Sequence, residues 1–204
     1  MSTTFVDTET TSLWDYHSPD DAPHQPRIVQ LAAMLVDGEG EPVGSCKLFI
    51  KPDGWTIPPE ATAVHGITTE KCEQDGIPMA DALKHLQSMM PASGTLAVYN
   101  LSFDRNLLIR EATLAGMSLT YPPVQVCVME MATPICKLPG KYGYKWPKLA
   151  EAYEMICGKA LTGAHDAMAD VVACKEVYFA AKRARAEQLA VPPLPDVKPW
   201  VPEF

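Results

Sequence analysis

The chain has 204 residues, of which 47% are apolar and 21% charged, and its formal net charge is −8. This composition can bury the core of one domain, and it argues against a general nucleic-acid coating protein, which would be basic. No apolar run reaches the roughly 18 residues of a membrane span, and the N-terminus lacks the pattern of a signal peptide. The six cysteines show no C-x-x-C spacing, so we expect a protein of a reducing, cytoplasmic compartment.

The first half of the chain predicts strands with few helices. A strand ends in FVDTETTSL, and a polar loop follows it. IVQLAAMLVDGEGEPVGSCKLFIKP then predicts a hairpin with a tight turn at 37–40. An irregular stretch with room for short helices leads to a helix in MADALKHLQSMM and a buried strand in GTLAVYN.

The second half predicts mainly helices. SFDRNLLIREATLAG fits a helix with Ser102 as its N-cap and Gly116 after its end, whereas VQVCVMEMATPI fits a strand or a helix. WPKLAEAYEMICG predicts a helix from Pro147 to Gly158, and DAMADVVACKEVYFAAKRARAEQ predicts the longest one. Strands followed by mixed elements indicate an α/β domain with a mixed sheet over residues 1–190. Five prolines among residues 191–204 predict a tail outside the core.

Two carboxylates stand close together at the end of the first predicted strand. Side chains alternate along a strand, so Asp7 and Glu9 point the same way. Like charges on one face repel each other unless a cation or a proton lies between them. Two interpretations remain open from these residues alone: a metal site, or a strand that frays into a polar loop.

Two further acids lie where helices need apolar residues. Asp170 falls on an otherwise apolar stripe of the last helix, and Asp104 shares a face with Leu107 and Leu108. Each acid also lies near a helix start, where the helix dipole favours negative charge. His165 is five residues before Asp170, so the two can converge only if the histidine precedes the helix. Four acids and a histidine would suit a phosphodiesterase that uses two cations.

Three motifs, FVDTETTSL, VYNLSFDRNLL and HDAMAD, resemble in order the motifs of the DEDD superfamily of 3′-to-5′ exonucleases. The spacing H-x-x-x-x-D resembles that of the DEDDh branch, which includes proofreading subunits of polymerases. Ser12 and Tyr99 depart from the residues common there, but neither position is an expected metal ligand.

The resemblance implies a ribonuclease-H-like mixed β-sheet flanked by α-helices. It implies two Mg²⁺ or Mn²⁺ ions held by Asp7, Glu9, Asp104 and Asp170, with His165 as general base. The products would be nucleoside 5′-monophosphates released from a 3′ end, with single-stranded DNA as the expected substrate. The residues implied to contact or support the substrate are Thr10, Leu13, His65, Asn100 and Phe103.

Other interpretations stay open at this point. A 3′-to-5′ exoribonuclease could use the same motifs, because pocket shape decides whether a ribose 2′-hydroxyl is accepted. A catalytically silent nucleic-acid or polymerase-binding module is a further alternative. The expected partners are nucleic acid with a free 3′ end and a polymerase or replication protein. The segment KLPGKYGYKWPKL is either a nucleic-acid contact or a solvated loop in which Trp146 packs against the next helix.

Overall fold

A computed structural model of the protein describes residues 1–91 and 94–189, so the proline-rich tail predicted for 191–204 lies outside it. The strands are β1 (Thr3–Thr10), β2 (Ile28–Val36), β3 (Pro42–Phe49), β4 (Thr95–Val98), β5 (Val124–Cys127), β6 (Pro139–Gly140) and β7 (Gly143–Tyr144). The helices are α1 (Pro59–His65), α2 (Thr69–Asp75), α3 (Met79–Ser88), α4 (Leu101–Leu114), α5 (Val128–Cys136), α6 (Leu149–Cys157) and α7 (Ala167–Leu189). None of these helices is both long and apolar enough to cross a membrane.

Five strands form one mixed sheet in the order β3-β2-β1-β4-β5. The neighbours β1, β2 and β3 pair antiparallel, as the predicted hairpin requires, whereas β4 and β5 run parallel to β1. The predicted α/β fold with a mixed sheet is therefore confirmed. β1 lies at the centre, but β4 borders only its first half, up to Val6, whereas β2 borders it as far as Thr10.

Two apolar layers cover the two faces of the sheet, and β1 alternates between them. Phe5 packs with residues of α5, α6 and α7, whereas Val6 packs with residues of α3 and α4. This alternation follows from the period of two along a strand. Odd-numbered side chains of β1 therefore face α7, and even-numbered ones face α4.

The sequence signals for helix and strand ends predicted most of the observed ends to within a few residues. The segment VQVCVMEMATPI, which fitted a strand or a helix, contains both β5 and α5. Gly158 is the C-cap of α6, and its φ of 69° is left-handed, as is common for a glycine at this position. Ser102 is not the N-cap of α4, because the helix already begins at Leu101. Asn100 holds the cap position, and its side-chain oxygen accepts a hydrogen bond from the Ser102 hydroxyl (3.2 Å).

The polar loop after β1 is held in place by internal hydrogen bonds. The buried Gln25 side chain accepts from the Asp15 N–H (3.0 Å) and donates to the Asp15 carbonyl (2.8 Å). From α4, Arg110 donates to the carbonyls of Asp20 (3.1 Å) and Ala22 (3.1 Å). The loop is therefore an ordered cover on α4 beside the carboxyl end of β1.

Candidate active site

The carboxyl ends of β1 and β4 bring the first two sequence motifs together. Val6 of β1 pairs with Val98 of β4, so the chain leaving β4 enters α4 beside Asp7. Asp7 and Glu9 both occupy odd positions of β1 and face α7, as strand alternation predicts. Glu9 is buried although it is close to the end of its strand.

Asp104 reaches the same place from the opposite layer. It lies in the first turn of α4, is 4% exposed, and accepts a hydrogen bond at Oδ1 from the Thr8 hydroxyl (2.7 Å). Thr8 is an even residue of β1 and so faces α4. The cluster of acids therefore surrounds the end of β1 instead of lying on one face of the sheet.

His165 and Asp170 are brought together by a turn, as the sequence required. His165 precedes α7 in a left-handed conformation with φ of 68°, and Asp170 lies in the first turn of the helix. The His165 backbone N–H donates to Asp170 Oδ2 (3.2 Å), so it is the main chain that orients this carboxylate. The imidazole is exposed and does not take part in that hydrogen bond.

Two residues that the sequence reasoning missed fix the start of α7. Gln30 of β2 pairs with Glu9 in the sheet, and its buried side-chain oxygen accepts from the Ala167 N–H (3.1 Å). Asp166 caps the helix by accepting from two backbone N–H groups (3.1 and 3.3 Å), and its other oxygen pairs with Lys47. An acid just before a helix and a lone amide in an apolar strand are the signals that could have identified them.

The four carboxyl groups have raised pKa values because each is buried or half-buried and they lie close together. Burial, together with the charges of Asp170 and Asp104, raises the pKa of Glu9 to about 7. Burial raises the pKa of Asp104 to about 7, although the Thr8 hydroxyl opposes the shift. The pKa of Asp7 is raised well above its usual range by burial and by four acidic neighbours, the other three site acids and Asp166, and burial raises that of Asp170. Such a cluster favours bound protons or bound cations.

The residues present fit divalent cations. Asp170 Oδ1 is buried and has no hydrogen-bond partner among the described residues, so it offers a free lone pair. Ligand atoms of Glu9, His165 and Asp170 all lie within 4.8 Å of one another, which is close enough for one ion to contact all three. Carboxylate oxygens are ligands that Mg²⁺ and Mn²⁺ prefer, whereas an imidazole nitrogen also suits softer metals.

A pocket of about 500 Å³ opens beside the acids. The residues of the site prediction that line it are Glu9, Thr10, Leu13, His65, Phe103 and His165. Leu13 is 84% exposed at its edge, an unusual position for a large apolar side chain. Asn100 does not line this pocket and instead occupies the N-cap position of α4.

His65 presents one defined tautomer to the pocket. Its Nδ1 accepts a hydrogen bond from the Ile67 N–H (3.0 Å), so in the neutral ring Nε2 carries the proton. Nε2 is buried and has no hydrogen-bond partner in the described part of the chain. Burial lowers the pKa of His65, which favours this neutral form, although the Thr10 backbone opposes the shift.

Comparison with known proteins gives the family of the chain. The model of the RNase_T exonuclease family matches residues 4–178, which include all three motifs. The chain belongs to this exonuclease family. An uncharacterized exonuclease of Escherichia phage 186, CP81, is 32% identical over 176 residues, covering 81% of this chain and 80% of the phage protein. Membership therefore identifies the chain as a nuclease of the DEDD superfamily.

Solved structures of E. coli exonuclease I have the same fold. The complex with a dT13 oligonucleotide has a TM-score of 0.73 at 21% identity and covers 92% of this chain. The zinc-bound form with single-stranded DNA gives 0.71 at 21% identity and also covers 92% of this chain. In both comparisons this chain spans only 42% of the exonuclease I chain. At this identity the likeness establishes the ribonuclease-H-like α/β fold.

Proposed function

We propose that the chain is a DEDDh-type 3′-to-5′ exonuclease that removes nucleoside 5′-monophosphates from the 3′ end of single-stranded DNA with two Mg²⁺ or Mn²⁺ ions. One observation carries the proposal: four buried or half-buried acids and a histidine from three separate parts of the chain converge beside an open pocket. A structural role would not favour this arrangement, because clustered carboxylates destabilise a fold that has no cation to neutralise them.

The metal ligands in this proposal are Asp7, Glu9, Asp104 and Asp170. Bound divalent cations would supply an activated water molecule and neutralise charge on the phosphate being cleaved. Asp104 is held for this task by the Thr8 hydroxyl, and Asp170 is held by the His165 N–H. Both carboxylates are thus oriented before a cation binds, which lowers the entropy cost of forming the site.

His165 acts as the general base in the proposed reaction. Its imidazole is exposed at the pocket, and the adjacent backbone performs the orienting role toward Asp170. A neutral imidazole nitrogen can therefore accept the proton of the attacking water. The proximity of His165 to Glu9 and Asp170 supports a competing role as a metal ligand, and the two roles give different mutant phenotypes.

The pocket accounts for the proposed choice of a chain end. Leu13 and Phe103 offer apolar surface to the terminal base, and His65 lines the same pocket. Related folds support single strands as the substrate, since exonuclease I of E. coli was solved with a dT13 oligonucleotide. A polymerase or replication partner and a cytoplasmic location remain predictions from the sequence.

The test compares the purified protein on four substrates: single-stranded DNA, its 3′-blocked form, duplex DNA and single-stranded RNA. We expect the unblocked single strand to be shortened from its 3′ end only, with release of nucleoside 5′-monophosphates. Activity should disappear in excess chelator and return with Mg²⁺ or Mn²⁺. Asp7→Ala should abolish cleavage while the protein stays folded.

Each alternative has its own result. Faster degradation of RNA would indicate an exoribonuclease with the same catalytic residues. Cleavage of a circular single strand would contradict the exonuclease assignment. Binding without cleavage by the wild type under every metal condition would indicate a silent nucleic-acid module.

A further inference from the structure

Residues 137–148 form a small projecting feature, the lysine-aromatic ribbon. Its strands β6 and β7 pair antiparallel, and the Lys145 N–H donates to the Leu138 carbonyl (2.9 Å) at the base. Every residue from Pro139 to Trp146 is exposed. The ribbon is therefore ordered by its backbone while its side chains remain outside the core.

Three large aromatic side chains of the ribbon lie in solvent. Tyr142 is 90% exposed, Tyr144 56% and Trp146 65%. Among the described residues, only Tyr16 is an exposed aromatic elsewhere, so these side chains are concentrated in one place. Trp146 is not buried against α6, so the alternative in which it packs on this helix is wrong. Exposed apolar side chains grouped in this way indicate a binding surface.

The charge of the ribbon is opposite to that of the whole protein. It contains four lysines and no acidic residue, whereas the chain carries a formal charge of −8. Lys145 is paired with Glu151 (2.7 Å) in α6. Lys141 has no acidic partner in the described chain, and its ammonium lies 5.0 Å from the centre of the Tyr142 ring. A strand of phosphates would find positive charge and flat aromatic faces together here.

The ribbon is attached near the carboxyl ends of β1 and β4, where the acids lie. Tyr99 directly follows β4 and precedes the helix that carries Asp104. Its buried hydroxyl donates to the Pro147 carbonyl at the base of the ribbon (2.8 Å). The ribbon thus has a fixed position relative to the carboxylate cluster, as a surface that guides a substrate would require.

We propose that the lysine-aromatic ribbon is a platform for single-stranded nucleic acid, on which bases of the strand stack while its 3′ end occupies the active site. This inference rests on the proposed function and adds a second contact region to it. Tyr142, Tyr144 and Trp146 stack with bases, and Lys141 contacts phosphate. Duplex DNA cannot stack in this way, because the flat faces of its bases are already covered by the neighbouring base pairs.

The amino-acid composition of the ribbon differs from that of a typical protein–protein interface. Protein interfaces are enriched in aromatic residues and arginine but depleted in lysine, and this ribbon has lysine without arginine. Nucleic acid uses lysine for phosphates and aromatic rings for bases, and the ribbon offers both. The composition therefore favours a single strand over a protein.

The test measures binding in chelator, where no cleavage occurs, with fluorescent oligothymidylate of about 20 nucleotides. Tyr142→Ala with Trp146→Ala should weaken affinity by roughly fivefold to a hundredfold for each stacked base lost. Lys141→Ala should reduce the slope of log affinity against log salt by about 0.7. Met155→Ala on α6 and Lys51→Ala, both exposed outside the ribbon, are the matched controls.

Steady-state kinetics separate this proposal from the proposed function. In the aromatic variants, KM should rise more for the long oligonucleotide than for a trinucleotide, because a short strand cannot occupy both regions. If the wild type cleaves DNA and the aromatic variants keep its affinity and its KM, the platform is overturned while the proposed function stands. If the double variant does not fold, Tyr142→Ser, at the most exposed of the three positions, carries the same expectation.

Discussion

Glu9 should make the metal-free protein less stable as the pH rises. Burial and neighbouring charges raise the pKa of this carboxyl from 4.5 to about 7 in the folded state. Between these values the folded protein binds more protons than the unfolded chain. The contribution of Glu9 to the free energy of unfolding is therefore complete below about pH 4.5 and is lost as the pH rises through about 7.

The size of this effect follows from the shift. Proton linkage for a group with these two pKa values gives a loss of about 2.5 kcal/mol between about pH 5 and about pH 8. Glu9→Gln cannot titrate, so the variant should gain about that much stability relative to the wild type over the same interval. Bound Mn²⁺ at about 100 times its Kd should restore roughly 2.7 kcal/mol to the wild type at the higher pH.

Urea unfolding at several pH values in chelator measures this difference directly. Because titrating groups outside the cluster are common to both proteins, the wild-type minus Glu9→Gln difference reports the carboxylate cluster, including the effect of Glu9 on Asp7. Glu154→Gln, at an exposed position of α6, is the matched control and should show a constant difference. If the Glu9→Gln difference is equally constant from about pH 5 to about pH 8, the reasoning about the buried cluster is wrong.

Three further predictions concern single residues near and away from the site. His165→Asn, which suits the left-handed conformation and keeps the backbone N–H toward Asp170, should lower kcat by about 10²–10⁴-fold, because the general base is lost. Retained Mn²⁺ affinity by calorimetry supports the base, and lost affinity supports a ligand. Asp166→Ala should lower the free energy of unfolding, measured in urea, by about 1 kcal/mol because the N-cap of α7 is lost. Asp166→Asn should lower it less, because asparagine can also cap a helix. Gly76→Ala should lower Tm, because its Cβ would lie 2.2 Å from the Cys72 carbonyl oxygen, while an unchanged Tm contradicts this.

Local periodicity accounts for what the sequence predicted about the acids. Asp7 and Glu9 face the same side because a strand repeats every two residues, whatever it packs against. His165 and Asp170 converge because the helix begins between them, which their spacing already required. These relations span only a few residues, so they do not depend on the rest of the fold.

Long-range packing decided which groups meet. The sequence did not indicate that Asp104 approaches from the opposite layer and bonds to Thr8, since these residues are 96 positions apart. Nor did it identify Gln30, which docks the start of α7 from 137 positions away. Such pairs depend on the order of strands in the sheet and on the layer in which each helix packs.

The sequence by itself determined the identity of the acids, their order and the faces of the elements that carry them, because these follow from chemistry and local geometry. Only the tertiary structure decided their electrostatics and surroundings. The raised pKa values of Glu9 and Asp104 come from burial against residues distant in the chain, and the exposure of Trp146 comes from the failure of α6 to cover it. Burial is a property of the packed molecule, and a run of residues does not specify it.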